Sequence, residues 1–435
     1  MHPLIQPKER TPLFFITLAL LFGLLPIAQA VTPAPDGGYA HYTTAEGENA
    51  LLHLTTGVAN TAIGALSLTS DTNGNYNVGV GGGALALNNG DSNTAVGTVA
   101  LFLNTTGTRN TATGTDTLVF NSTGNDNTAV GTFALEHNTA SGNTAIGSSA
   151  LVVDTTGSGN TIIGASAAIT NTTGNDNTGV GLNVLFSNTT GDYNTAVGRA
   201  ALGANTSAGY NTAVGWYALS SDTTGPGNTA IGYNALAANN TGDANTALGY
   251  NSGGNVVTAD SVLCIGAGIG GADVSNTTWI ANVYGVATLN GSTAPVIVSA
   301  DGQLGTVVSS ERFKKDIAPM DKASDAILSL RPVTFHYKSD VDDFPQFGLI
   351  AEEVAKVNPA LVLPDNEGKP YTVRYDAVNA MLLNEFLKEH KTVEEQGVTI
   401  ARLEKQIGAL TAGLQKVSAQ LELIKSAPQT VLNDQ

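Results

Sequence analysis

Between Asn60 and Tyr250 the small, aliphatic and polar positions recur in fixed phase. NTAIG at 60 returns as NVGVG at 77, NTAVG at 93, NTATG at 110 and onward to NTALG at 245, twelve copies spaced 16 or 17 residues apart. The filler between copies is equally regular, typified by ALGANTSAGY and ALAANNTGDA. Each copy reads as five residues of strand-like alternation, and Gly with Asn supplies the positive-φ turns that bend the chain back. Gly, Asn and Thr recur too densely for a stable helical face. One coil cannot bury its few aliphatic side chains alone, so neighbouring coils must stack. The pattern therefore predicts a parallel β-solenoid, or β-roll, of about twelve repeats, roughly 55 to 60 Å long at the inter-strand spacing. Its Leu and Val/Ile columns are expected to form apolar stripes that a single chain leaves partly wet, which predicts an oligomer.

Beyond Tyr250 the period is lost. Residues 251–308, including CIGAGIGGADV and APVIVSADGQLGTV, read as short β segments punctuated by Gly, a β connector. GAGIGG lacks the Lys and the following helix that a phosphate loop requires. Further on, the pattern predicts a helical stretch in DKASDAILSL, a strand in PVTFHYK, a hairpin in DNEGKPYTVRYD and a helix in AVNAMLLNEFLKEH. From Val393 an apolar heptad runs through Ile400, Leu403, Ile407, Leu410, Leu414, Val417, Leu421 and Ile424. That spacing forms one seam on a helix, and mixed Ile, Leu and Val at its core positions is compatible with three strands.

Composition narrows the partners. Only 13% of the 435 residues are charged, and Gly occurs 50 times, far from ordinary globular usage. Between Val31 and Val308 two basic residues, Arg109 and Arg199, face sixteen acidic ones, so this region repels phosphate backbones and anionic lipid. Nucleic acid is excluded as a partner. A carbohydrate or other cell-surface receptor is a candidate, although no aromatic platform is seen to repeat with the coils and Trp216 and Tyr217 read as isolated. Lys8 and Arg10, the apolar run LFFITLALLFGLLPIA and AQA ending at Ala30 have the order of a secretory signal peptide, with mature protein expected from Val31. A secreted or cell-surface location follows, with no membrane span in the mature chain. Cys264 is the single cysteine, so no intrachain disulfide forms, and its apolar surroundings make it a small buried hydrophobe.

Other chemistry is sparse. Asp126, Asp176 and Asp192 sit in turns that suggest calcium loops, but neighbouring turns lack carboxylates. The Thr column through Thr94, Thr128, Thr144, Thr195, Thr212 and Thr229 is simply a β-branched residue on a pleat. His336 and His390 have no partners at metal-ligand spacing. No metal and no cofactor is expected, and Glu352 and Glu353 are read as packing residues. The seam at 309–317 differs. SSERFKKDI stands where an almost lysine-free chain becomes an ordinary charged one: fifteen of the nineteen basic residues lie from Ser309 onward.

Two resemblances bear on these regions. The repeats, with their Asn-Thr-x-aliphatic-Gly signature, resemble the heads of trimeric autotransporter adhesins, the YadA-like β-roll. The repeat is longer here, and the chain ends in polar helix rather than a membrane barrel. Residues 309–425, with Ser309 to Lys314 and Ile317, PVTFHYK, FGLIAEEV and the trailing helix, closely resemble the intramolecular chaperone domain of endosialidases and phage tail fibres, a self-cleaving serine peptidase family. That resemblance implies Ser309 as nucleophile, Lys314 as its base, and cleavage between Val308 and Ser309. Ser310 stands where many members carry Asp. A lysine can activate a serine when burial or neighbouring cations favour its neutral form, and Arg312 and Lys315 flank Lys314. Because the same chain supplies the scissile carbonyl, one turnover suffices and no external substrate is expected.

The expected architecture is mainly β with an α C-terminus: signal peptide 1–30, N-terminal segment 31–59, β-roll 60–250, β connector 251–308, small α+β chaperone and peptidase domain 309–390, coiled coil 391–426 and disordered tail 427–435. The expected protein is a secreted homotrimeric fibre or adhesin, joined through β-roll and coiled coil, whose C-terminal domain registers the trimer and cuts itself away. The alternative is an uncleaved surface-binding adhesin with the coiled coil as a permanent stalk.

Overall fold

A computed structural model of the chain describes residues 40–425 apart from 285, 290–292, 300 and 366. The signal peptide and the tail expected at the two ends lie outside the described residues. The chain divides into two compact units, one ending at Leu289 and one beginning at Asn290.

The first unit is a parallel β-solenoid. A 15-stranded sheet runs in strict chain order from β1 (Thr44–Glu46) to β15 (Thr278–Ile280), each strand three residues long. Register follows the motif position by position. Thr128 pairs with Thr144, Ala129 with Ala145 and Val130 with Ile146. The strands are shorter than the five-residue motif because its Asn and Gly do other work. In the coil that begins at Asn127, Thr128 and Val130 face outward while Ala129 is fully buried. Gly131 then turns the chain at φ 131°, and a Cβ there would lie 2.6 Å from the backbone carbon of Gly147 in the next coil. Only glycine permits both that angle and that approach.

The Leu column lies inside the coil rather than on an outer stripe. Leu135 is fully buried although its φ is 51°, a left-handed conformation that costs about 1–2 kcal/mol for a side-chain-bearing residue. Burying a leucine side chain returns roughly 1.5–3 kcal/mol, and the Leu135 N–H donates to Ala150 O at 3.0 Å in the next coil. Burial and the inter-coil bond together outweigh the strain, which is why the same geometry recurs at Leu101, Leu118 and Leu151.

Polar ladders fill the rest of the interior. The motif asparagines are buried, and each binds the coil above it: the Asn93 N–H donates to Asn77 Oδ1 at 2.9 Å, while Asn77 Nδ2 donates to Gly90 O at 2.8 Å. These bonds satisfy backbone groups that a turn would otherwise leave unpaired in a dry interior.

The coil outlasts its motif in both directions. Leu263–Ile265 and Thr278–Ile280 continue the sheet past Tyr250, where a β connector was expected, and Thr44–Glu46 extends it before Asn60. Val262 takes the Asn position, and its N–H still donates to Asn245 Oδ1 at 2.8 Å. Cys264 takes the Ala position, fully buried, its thiol pushed up by that burial. The motif records the asparagine ladder; the coil needs only an inward side chain that fits. Near the C-terminal end Asp273 Oδ1 accepts the N–H groups of Val257, Thr258 and Ala259 at 2.8–2.9 Å, which hold its carboxyl down at about 2.

The second unit is α+β. β16 (Ile297–Val298) and β17 (Leu304–Gly305) form a short antiparallel hairpin. After a 3-10 turn at Glu311–Phe313 and a longer 3-10 stretch at Asp321–Ser329, β18 (Val333–Phe335) pairs antiparallel with β19 (Gln346–Gly348). Helix α1 (Ala351–Val357) precedes a second antiparallel pair, β20 (Val362–Pro364) and β21 (Pro370–Val373). Val354, Leu361 and Val373 make a small core, against which Leu330, Leu349 and Met381 pack. Helix α2 (Tyr375–Lys425) is 51 residues long and passes without a break through the boundary expected at 390. Among the described residues no helix is long and apolar enough to cross a membrane.

Candidate functional site

Val308 and Ser309 lie in an exposed segment without regular structure directly before the 3-10 turn Glu311–Phe313. Ser310 occupies the N-cap position of that turn (φ −64°, ψ 138°), but its hydroxyl makes no capping bond. The turn is held by backbone alone, with the Phe313 N–H on Ser310 O at 3.0 Å and the Lys314 N–H on Glu311 O at 2.9 Å. The Arg312 guanidinium sits 4.6 Å from the centre of the Phe313 ring. One short turn thus separates Ser309 from Lys314, and both side chains are exposed. The surroundings are apolar yet uncovered: Val308 is 56% and Phe313 57% exposed. Chemically this is an accessible peptide bond followed by a hydroxyl and an amine, in solvent rather than in the dry pocket a lysine base needs.

A second serine with a lysine was not apparent from sequence, because its members lie some sixty residues apart. Ser324, fully buried on the 3-10 stretch, donates to Glu385 Oε1 and accepts from Asn384 Nδ2 at 2.7 Å and Lys388 Nζ at 3.3 Å. Lys388 also pairs with Asp325 at 2.8 Å and Glu385 at 2.6 Å. Hydrogen bonds to those carboxylates raise the Lys388 pKa, which keeps the ammonium charged and unfit as a base. The cluster clamps the 3-10 stretch to α2. Glu353 likewise serves structure, paired with Arg331 at 2.5 Å.

The outward face of the solenoid strands is the other uncovered surface. Val130, Ile146, Ile163, Val180 and Val197, on consecutive coils, are each 37–38% exposed in one column. Contrary to the expectation from sequence, Trp216 is not isolated. Arg199, Trp216, Tyr233 and Tyr250 fill the same outer position of four successive coils. Arg199 lies 5.6 Å from the Trp216 ring, Trp216 meets Tyr233 edge-on at 5.6 Å, and Tyr233 stacks on Tyr250 at 5.3 Å. The signal was present, since the column is one residue every seventeen, but it adjoins rather than enters the motif. Asp126, one of the turn carboxylates, is bound to Arg109 at 2.6 Å. Among the described residues no group of three or more His, Cys, Asp or Glu side chains could hold a metal ion.

Comparison with known proteins bears on the second unit. No curated protein and no solved structure matches the chain. Residues 309–363 match the family described as chaperone of endosialidase, a match that opens on Ser309 itself, and this segment of the chain is thereby similar to that chaperone domain.

Proposed function

We propose that the chain is a secreted, homotrimeric fibre or adhesin-like protein in which the module beginning at Ser309 brings three solenoids into register and then releases itself by cleavage between Val308 and Ser309. The observation that carries this reading is the coexistence of two long unpartnered apolar surfaces: the aliphatic column of the solenoid, and the heptad seam of α2, where Leu403, Leu410 and Leu414 are all exposed. Burial of both between copies accounts for residues that a single chain leaves in water. Similarity of 309–363 to the chaperone of endosialidase supplies the trimerising role. The repeats' likeness to YadA-type adhesin heads agrees with it. Near-identical coils pair out of register at little cost, and a C-terminal clamp removes that ambiguity.

In this mechanism Lys314 takes the Ser309 proton, the hydroxyl oxygen attacks the Val308 carbonyl carbon, and the Val308–Ser309 bond breaks with the proton passing to the new amine. Water then releases the ester. Because Ser309 and Lys314 are exposed in one chain, packing of the three modules is what dries the site, so cleavage follows assembly. That same exposure supports the second reading, a permanently attached stalk with solenoids that bind a surface receptor. The intact mass of the full-length protein beside its Ser309→Ala variant separates the two. A wild-type fragment starting at Ser309 that the variant lacks is the expected result; two uncut, still trimeric proteins establish the stalk.

A further inference from the structure

A second polar ladder runs inside the solenoid, one residue per coil, and it is interrupted. Along most of it each asparagine side chain donates to the one in the coil before: Asn104 Nδ2 to Asn88 Oδ1 at 2.6 Å, Asn188 to Asn171 and Asn205 to Asn188 at 2.7 Å. At the next coil the ladder residue is Asp222, and an ionised carboxylate has nothing to donate. Asn205 Oδ1 is accordingly buried without a hydrogen-bond partner.

Every hydrogen-bonding group on the Asp222 carboxylate is a donor. The Gly225 N–H and Asn239 Nδ2 reach Oδ1 at 3.2 and 3.3 Å, and Asn211 Nδ2 approaches Oδ2 at 3.4 Å. The residue is fully buried, and the charged group acting on it is another carboxylate, Asp243. Asp154 occupies the same ladder, also fully buried, with Gly157 N–H and Asn171 Nδ2 on Oδ1 at 3.1 Å and Asn143 Nδ2 near Oδ2 at 3.3 Å. No cation offsets either carboxylate among these contacts, and a bare buried charge is the most costly group an interior can hold.

We propose that Asp222, and with it Asp154, takes up a proton when the solenoid folds, the acid O–H of Asp222 donating to the orphaned ladder amide oxygen of Asn205 in the preceding coil, so that the fold is proton-loaded and weakens as pH rises. The proton comes from solvent, and one carboxylate oxygen gains an O–H bond at each site. Burial, opposed by the donated hydrogen bonds, pushes Asp154 up to about 8 and Asp222 up to about 7 from the ordinary 3.8. A group whose folded pKa is raised contributes its full stability below its unfolded value. That contribution is lost as pH climbs toward the folded value. For Asp222 the window runs from about 4 to about 7, with a change of about tenfold in the folding equilibrium per pH unit.

The test is unfolding of the full-length protein at fixed concentration, from about pH 4.5 to about pH 8.5, beside Asp222→Asn. Asparagine restores the donor found at neighbouring coils, so the variant is expected to gain on wild type as pH rises to about 7 and to hold that advantage above it. An advantage independent of pH overturns the proposal. Infrared difference spectra of protein labelled with carboxyl-13C aspartate give an answer that does not rest on the variant folding. A protonated-acid carbonyl band in the native wild type at about pH 6 is expected, and its absence overturns the proposal.

Discussion

Two glycines of one coil show how differently the same residue type is used. Gly131 and Gly142 both have positive φ, 131° and 75°. A Cβ on Gly131 would strike the backbone of Gly147 at 2.6 Å, whereas on Gly142 the nearest atom is 3.9 Å away. Neighbouring coils carry Arg109, Asp126 and Tyr193 at the Gly142 position with φ of 57–59°, but only glycine at the Gly131 position. Gly142→Ala is expected to lose about 1 kcal/mol in chemical denaturation, the strain of a left-handed alanine. Gly131→Ala must push two coils apart and is expected to lose more than about 4 kcal/mol or to prevent folding. Equal losses at the two sites would mean that inter-coil contact is not what selects glycine.

At the scale of elements, the three-residue strand separates core from outer surface by alternation. Ile162 points inward and is fully buried; Ile163, its neighbour, is 37% exposed on the outer column. Ile162→Asp buries an unpaired carboxylate and is expected to cost about 4 kcal/mol or more, seen as loss of the native circular dichroism transition. Ile163→Asp leaves each coil intact but sets like charges against one another wherever the columns of three copies meet. Its expected outcome is a folded protein of lower mass by light scattering. A trimer unchanged by Ile163→Asp would move the contact face elsewhere on the coil.

For the whole molecule, assembly and cleavage are predicted to be coupled. Leu410→Asp on the α2 seam touches neither Ser309 nor Lys314, yet it is expected to abolish the Ser309 fragment along with the trimer. Cleavage undiminished in a monomeric Leu410→Asp protein would show that one chain suffices for the chemistry. The proton-loaded ladder adds a condition of a different kind. Acid favours the solenoid fold itself, whatever its oligomeric state.

Much of this was legible because a solenoid writes its own register into sequence. The Asn-Thr-x-aliphatic-Gly period located twelve of the strands, and Ser309 to Lys314 marked the start of the matched chaperone segment. The two strands past Tyr250 were expected as short β segments of a connector, not as further coils, since Val262, Cys264 and Trp279 meet the steric demand of the coil without the Asn ladder that the motif encodes. The Leu and Val columns look alike in sequence, both aliphatic and both periodic. Tertiary structure alone sends Leu135 into the interior through a left-handed turn and leaves Val130 outside. The Ser324 clamp and the Asn205–Asp222 mismatch were equally out of reach. Each is a juxtaposition of residues far apart in sequence or one coil apart, and its meaning depends on burial, which removes the water that would otherwise satisfy a charge or an amide.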